Sequence, residues 1–195
     1  MKKYICLLTA VLLSVFVVSQ LYAQQNTESD IQAIRELYQQ TLEFVKHDKE
    51  DPTLEYQLTL SLRRHHTVEG HVNYDYNFYF DCLNTSENSL SGLKFIRIKI
   101  TDRGGISDEE YLFNDKEELV FYFSKFSDYE NQNDVEIRFY YKNGKRIRNL
   151  VKTTGHKNKK VTDYTVIPED YKYIAERLPA QVRKIKSLYK LAMEH

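Results

Sequence analysis

The segment Tyr56–Cys82, YQLTLSLRRHHTVEGHVNYDYNFYFDC, decides the fold of this chain. In residues 56–62 and again in residues 72–82 the even positions are apolar, and most odd positions are polar. Successive side chains of a strand point to opposite faces, so this alternation predicts two half-buried strands joined in a hairpin. Their apolar residues share one face if the loop has an odd number of residues. A three-residue loop, Val68-Glu69-Gly70, would pair Leu62 with Tyr76 and place Gly70 in a left-handed conformation.

Further strands follow along the chain. They are predicted at Leu93–Thr101, Tyr111–Phe113, Leu119–Phe123, Val135–Tyr141 and Ile147–Val151. Asn143-Gly144, between the last two of these strands, is a strong hairpin signal. A two-residue loop there would pair Phe139 with Arg148, whereas a three-residue loop would pair Phe139 with Ile147. The three-residue loop is preferred because it keeps one face of the hairpin apolar.

Helices are predicted at both ends of the strand region. Apolar residues recur at helical spacing between Ile31 and Val45, which predicts a first helix. Pro168 opens a second helical segment, and Pro179 inside that segment predicts a kink or a break. The order of helix, about seven strands and helix is typical of an α+β fold with an antiparallel meander.

Residues 1–23 have the pattern of a secretory signal peptide. Lys2 and Lys3 precede the apolar run Tyr4–Val18, and Ala23 provides a small residue before a cleavage site. An uncleaved anchor helix is the alternative, but the run is short for a membrane span and no basic cluster follows it. The sequence therefore predicts a signal peptide at 1–23, a single domain at 24–195, and a periplasmic or secreted location.

The composition of the cleaved chain limits its function. Loss of Lys2 and Lys3 leaves 26 basic and 28 acidic residues, a balance that argues against general nucleic-acid binding. After residue 23 no apolar stretch of the sequence is long enough to cross a bilayer. Cys82 becomes the single cysteine, so no internal disulfide is expected, and its parity predicts a buried thiol. No sequence motif for a catalytic centre or a cofactor is present.

Three polar residues near the first hairpin form the candidate site for an enzyme. His65, His71 and Asp75 share the polar face of the predicted hairpin, and two histidines with a carboxylate can bind zinc where they converge. Arg63, expected opposite Asp75, would compete for the carboxylate. The preferred interpretation is a solvated hairpin end without a metal or cofactor; the alternative is a small extracytoplasmic hydrolase or metal-dependent enzyme.

Charge and aromatic residues provide the candidate binding surfaces. Residues 142–160 contain eight basic and no acidic side chains, which favours an anionic glycan or an acidic protein surface as partner. The alternative is that the acidic residues of 102–136 neutralise them. Tyrosines on the second sheet face are expected either to lie under a terminal helix or to form an exposed patch. The candidate residues are Lys142, Lys145, Arg146, Arg148, Lys157, Lys159, Lys160, Tyr79, Tyr122 and Tyr140. The sequence thus predicts an exported, non-enzymatic binding or interaction module.

Overall fold

The computed structural model describes residues 27–46, 57–66, 70–80, 92–103, 105–157 and 159–194. Helix α1 covers residues 27–46, and helix α2, Lys172–Met193, follows a 3-10 turn at Glu169–Tyr171. The strands between them are β1 Gln57–His66, β2 Gly70–Phe80, β3 Leu93–Asp102, β4 Gly105–Phe113, β5 Leu119–Asp128, β6 Asn133–Lys142, β7 Lys145–Gly155 and β8 Val161–Tyr164. The predicted α+β class with an antiparallel sheet is confirmed.

The chain divides into two compact units, and the second begins at Tyr38. In the first unit, Ile31 and Ile34 of α1 are buried. In the second unit, eight strands form one open antiparallel sheet in which each strand pairs with its neighbours in sequence. Such a meander needs only short connections, and it leaves β1 and β8 as the two edges.

Helix α2 packs on one face of this sheet. Its buried side chains Ile174, Leu178, Ile185 and Tyr189 recur at helical spacing and join the core formed by the strands. The centres of the Tyr189 and Phe78 rings are 5.4 Å apart. Within the described ranges, no helix is long and apolar enough to cross a membrane.

The helix is continuous through Pro179, so the expected break is wrong, and the expected kink is not confirmed. Pro179 has no backbone N–H and cannot donate to the carbonyl of Ala175. The residue is exposed, and the buried side chains of Ile174, Leu178 and Ile185 on either side of it hold the helix against the sheet.

Aromatic side chains also fill part of the opposite sheet face. Tyr79, Phe95, Phe121 and Tyr140 are all buried. The ring of Tyr38, in α1, lies 4.9 Å from that of Phe121 and 6.3 Å from that of Phe95. Tyr38 therefore packs on these rings.

The register of the first hairpin differs from the prediction by two residues. Leu62 pairs with Tyr74 and Leu60 with Tyr76, and Gly70, predicted as a loop residue, begins β2. The alternation of apolar residues excludes a register shifted by one residue, but two registers that differ by two residues place the same side chains on each face. For this reason the predicted faces are correct although the pairing was wrong. Gly70 has the predicted left-handed backbone, with φ of 76°.

Both predicted pairings of the β6–β7 hairpin are wrong. Asn143 and Gly144 have φ of 51° and 70°, the two positive values that a two-residue type I′ turn requires. A β-bulge next to Tyr140 then shifts the register, and Phe139 pairs with Asn149. The two-residue turn alone would place the apolar residues of the two strands on opposite faces. The extra residue of the bulge returns them to one face, so Val151 still faces the core.

The structure has strand residues in two places where the sequence did not predict them. The predicted strand Tyr111–Phe113 is the end of β4, which begins at Gly105 and includes the acidic residues 108–110. Strand β8 was not predicted. The predicted signal peptide and Cys82 lie outside the described residues.

Candidate functional site

A groove of about 650 Å³ lies between α2 and strands β1 to β4. We call it the α2 groove. Its lining is mainly apolar and comes from the sheet and from residues 177–191 of the helix. The main apolar contributors are Leu62, Tyr74, Tyr76, Ile98, Leu188 and Leu191.

The path of α2 across the sheet explains why this groove exists. At the start of the helical region, the Tyr171 hydroxyl donates to Asp128 at the end of β5, at 2.9 Å. Near the end of α2, Tyr189 packs on Phe78 and Phe80 of β2. The helix therefore crosses from β5 to β2 and leaves one corner of the sheet beside it. Leu62, in that corner, is 40% exposed.

Glu109 is a buried carboxyl group in the wall of the groove. It occupies a cross-strand row with Tyr76, Ile98 and Ser124, and its exposure is 7%. Burial raises the pKa of Glu109, because water that would stabilise the charged form is excluded. A carboxyl group in this environment needs hydrogen-bond donors from the protein.

Three side chains donate hydrogen bonds to Glu109. The Tyr111 hydroxyl lies 2.5 Å and Gln181 Nε2 lies 2.7 Å from Oε2, and the Tyr122 hydroxyl lies 3.3 Å from Oε1. Tyr111 is two residues further along β4 and Tyr122 faces it on β5, so the strand pairing brings these groups together. Burial raises the pKa of both tyrosines well above the usual value, which keeps their hydroxyls protonated as donors. A carboxyl group with both oxygens held in this way is suited to joining α2 to the sheet.

A second cavity, of about 350 Å³, adjoins the α2 groove and shares Ile100, Glu109 and Arg177 with it. The guanidinium of Arg177 lies 5.3 Å from the centre of the Tyr173 ring. Ser107, Ser124 and Ser127 contribute to the wall of this second cavity. Arg177 and Glu109 therefore lie at the boundary between the mainly apolar α2 groove and the more polar second cavity.

Glu110 has a different set of partners from its neighbour. Two nitrogens of Arg97 approach its Oε1, at 2.8 and 2.9 Å, and the Tyr38 hydroxyl donates to its Oε2. Burial, followed by the hydrogen bond to Glu110, raises the pKa of Tyr38. This cluster joins Tyr38 to the sheet.

The predicted enzyme residues are placed along the first hairpin. His65 and His71 are directly paired, with ring centres 4.9 Å apart. Asp75 pairs with Ser61, whose hydroxyl donates to it at 2.7 Å. The expectation that Arg63 lies opposite Asp75 is wrong, because the register is shifted. Among the residues that the structure describes, no three or more His, Cys, Asp or Glu side chains form a group able to hold a metal ion.

The structure divides the predicted basic surface between two ends of the sheet. Lys142 and Lys145 flank the β6–β7 turn, whereas Lys157 and Lys159 follow the far end of β7. Ten residue steps of a strand separate these ends by about 33 Å. Arg146 lies over the Phe139 ring, 5.1 Å from its centre. The other predicted basic residues follow the same division, with Arg148 in the first half of β7 and Lys160 beside Lys159.

The predicted aromatic binding residues are in the interior. Tyr79, Tyr122 and Tyr140 have exposures of 1%, 1% and 3%. Tyr122 belongs to the core that faces α2, and not to the face that holds Tyr79 and Tyr140. The parity comparison misplaced Tyr122, since a register shift lies between Leu112 and Phe113 at the start of the β4–β5 pair.

Glu109, Arg177 and Gln181 are not among the site residues predicted from the sequence. The dense acidic run around Glu109 lies before the strand predicted at Tyr111–Phe113, although it belongs to β4. The available signal was the spacing of Glu109 and Tyr111, which share a face once β4 is extended. Polar residues on α2 have no comparable signal, because a groove and a solvated face favour the same side chains.

Comparison with known proteins adds no functional assignment. No protein-family model, curated protein or solved structure matches this chain.

Proposed function

We propose that this protein is an exported, non-enzymatic binding module whose α2 groove holds a small amphipathic molecule. The observation that carries the proposal is the groove of about 650 Å³ with a largely apolar lining and a few polar side chains. Ligand sites of proteins commonly have this size and this combination of side chains. The periplasmic or secreted location is part of the proposal and is supported by the signal pattern in residues 1–23.

Exposed apolar side chains at the groove support this function. Leu62 is 40% exposed and Leu191 is 55% exposed, although both line the same cavity. Covering apolar surface contributes roughly 25 cal/mol per Å². A ligand with an apolar body would therefore gain stability in the groove without displacing core residues.

Binding of N-phenyl-1-naphthylamine, an uncharged fluorescent probe, tests this proposal. The chain without residues 1–23 is expected to enhance the probe's fluorescence saturably, with one probe bound per chain. Ala180→Trp places a large side chain in the groove lining and should weaken binding strongly. Lys190→Trp adds the same side chain at an exposed helix position outside the lining and should not. No binding, or equal binding in both variants, would contradict the proposal.

A second candidate function is binding of an anionic glycan or acidic protein surface at the β7–β8 end. A cavity of about 360 Å³ there is lined by His156, Lys157, Lys160 and Tyr164, among others. Positive side chains around a polar cavity attract acidic polymers in a salt-dependent way. Binding to an acidic polysaccharide should be measurable at low salt. It should be lost when Lys157, Lys159 and Lys160 are all replaced by Glu.

A matched control uses the other end of the sheet. Lys142→Glu with Lys145→Glu changes charge at the β6–β7 turn, far from the cavity. This variant should retain most of the polysaccharide binding. Equal losses in the two variants would show a general charge effect and would contradict a site at the β7–β8 end.

A further inference from the structure

We propose that the ligand of the α2 groove is an amphipathic anion, with a carboxylate or sulfonate attached to an apolar body. This inference rests on the proposed binding function and adds the charge of the ligand. Arg64, Arg177 and Lys184 line the groove together with its apolar side chains. Cations beside an apolar cavity fit a ligand that has one negative end and one apolar end.

These three cations are available for a ligand. In the part of the chain that the structure describes, none of them lies within ion-pair distance of a carboxylate. The nearby Lys186 differs in this respect, because it pairs with Glu117 at 3.2 Å. A ligand anion would therefore not need to displace an existing ion pair.

Glu109 can offset at most one of these three positive charges. Three donors already hold its carboxyl oxygens, from Tyr111, Tyr122 and Gln181. Burial also favours the protonated form of this carboxyl group. The larger cavity therefore keeps an excess of positive charge at neutral pH whether or not Glu109 is ionised, since three cations face one carboxyl group.

The side chains of α2 are arranged for a ligand with two different ends. Arg177, Gln181, Lys184, Leu188 and Leu191 are spaced by three or four residues and share one stripe of the helix. The first three are polar and the last two are apolar. Polarity therefore changes along the groove in the direction of the helix axis.

The sheet provides an apolar wall opposite this stripe. The Tyr74 and Tyr76 rings are 6.2 Å apart with an interplanar angle of 22°. The Tyr76 and Phe78 rings are 6.0 Å apart with an angle of 8°. Tyr74 and Tyr76, which line the groove together with Ile98, suit an aliphatic chain or an aromatic body.

Two probes that differ by one sulfonate test the charge of the ligand. 8-Anilino-1-naphthalenesulfonate has the same aromatic body as N-phenyl-1-naphthylamine but carries a negative charge. The sulfonate is expected to bind about tenfold more tightly, the factor that corresponds to one charge-assisted hydrogen bond. Dodecanoate should likewise displace either probe at lower concentrations than dodecanol does.

Charge-removing variants assign the effect to the groove. Arg64→Gln with Lys184→Gln should weaken binding of the sulfonate by about tenfold and change binding of the uncharged probe little. Lys190→Gln removes a charge from α2 outside the groove lining and should change neither.

The outcomes separate the two proposals. If neither probe binds, the proposed function fails. If both probes bind equally well, or if the double variant affects them equally, the binding function stands and the anionic ligand is overturned. Tighter binding of the sulfonate that depends on Arg64 and Lys184 supports both.

Discussion

Glu109 and Glu110 are consecutive residues of β4, and each is 7% exposed with a separate set of donors. Glu109 is held by Tyr111, Tyr122 and Gln181, whereas Glu110 is held by Tyr38 and Arg97. Consecutive side chains of a strand point to opposite faces. A central strand thus holds two carboxyl groups, one towards α2 and one towards Tyr38.

The first prediction concerns the pH dependence of stability. The pKa of Glu109 is raised in the folded protein, so the native state keeps this proton at a higher pH than the unfolded chain does. The resulting stabilisation is complete below the unfolded pKa and is lost as the pH rises through the folded pKa. The wild type should therefore lose stability relative to Glu109→Gln as the pH rises above the ordinary pKa of a glutamate, by about 1.4 kcal/mol per unit of pKa difference.

Urea unfolding of the two proteins across this range measures the effect. A constant difference in the free energy of unfolding at all pH values would contradict it. Glu130→Gln, in the exposed turn between β5 and β6, provides the matched control.

The second prediction concerns Tyr38. Tyr38→Phe keeps the ring contacts with Phe95 and Phe121 but removes the hydrogen bond to Glu110. Hydrogen bonds to charged groups contribute about 1.5–3 kcal/mol, so the variant should be destabilised by about that amount. Chemical denaturation measures the loss, and Tyr164→Phe, at an exposed position, should change the free energy of unfolding by less than about 0.5 kcal/mol. A loss no larger than that of the control would show that the contact contributes little.

The third prediction concerns two glycines with left-handed backbone. Gly70 and Gly144 have φ of 76° and 70°. An alanine at either position should cost about 1–2 kcal/mol, because the side chain strains this conformation. At Gly70 the added carbon would also lie 2.9 Å from Arg103 Nε, whereas at Gly144 it would meet no atom within 4 Å.

Thermal and urea unfolding of Gly70→Ala and Gly144→Ala compare the two sites. The Arg103 side chain is flexible and can move, so Gly70→Ala should cost as much as Gly144→Ala or slightly more. A neutral effect at both positions would contradict the assigned backbone conformations.

Much of the fold can be predicted from the sequence because alternation and helical spacing are local signals. The even positions of β1 and β2 give their apolar face directly, and the spacing of Ile174, Leu178 and Ile185 gives that of α2. Register is not local in this sense. It depends on the length of each turn and on bulges that shift the pairing by one residue, such as the bulge beside Tyr140.

The candidate site could be predicted much less well. The carboxyl group of Glu109 is buried in a strand and needs hydrogen-bond donors. Two of its three donors, Tyr122 and Gln181, come from other elements. The sequence around Glu109 does not reveal these partners, because they are distant along the chain. The basic residues of 142–160 are close in sequence, which suggested a single surface. In the structure, β7 places them at two opposite ends of the sheet.

Mapping of backbone amide chemical shifts during a titration with dodecanoate tests the central claim most directly. The account predicts saturable shifts in α2 from Arg177 to Leu191 and in the facing parts of β1, β2 and β3. The β6–β7 turn and the β7–β8 connection should remain unchanged. Shifts confined to those two ends, or no saturable shifts at all, would contradict a ligand site in the α2 groove.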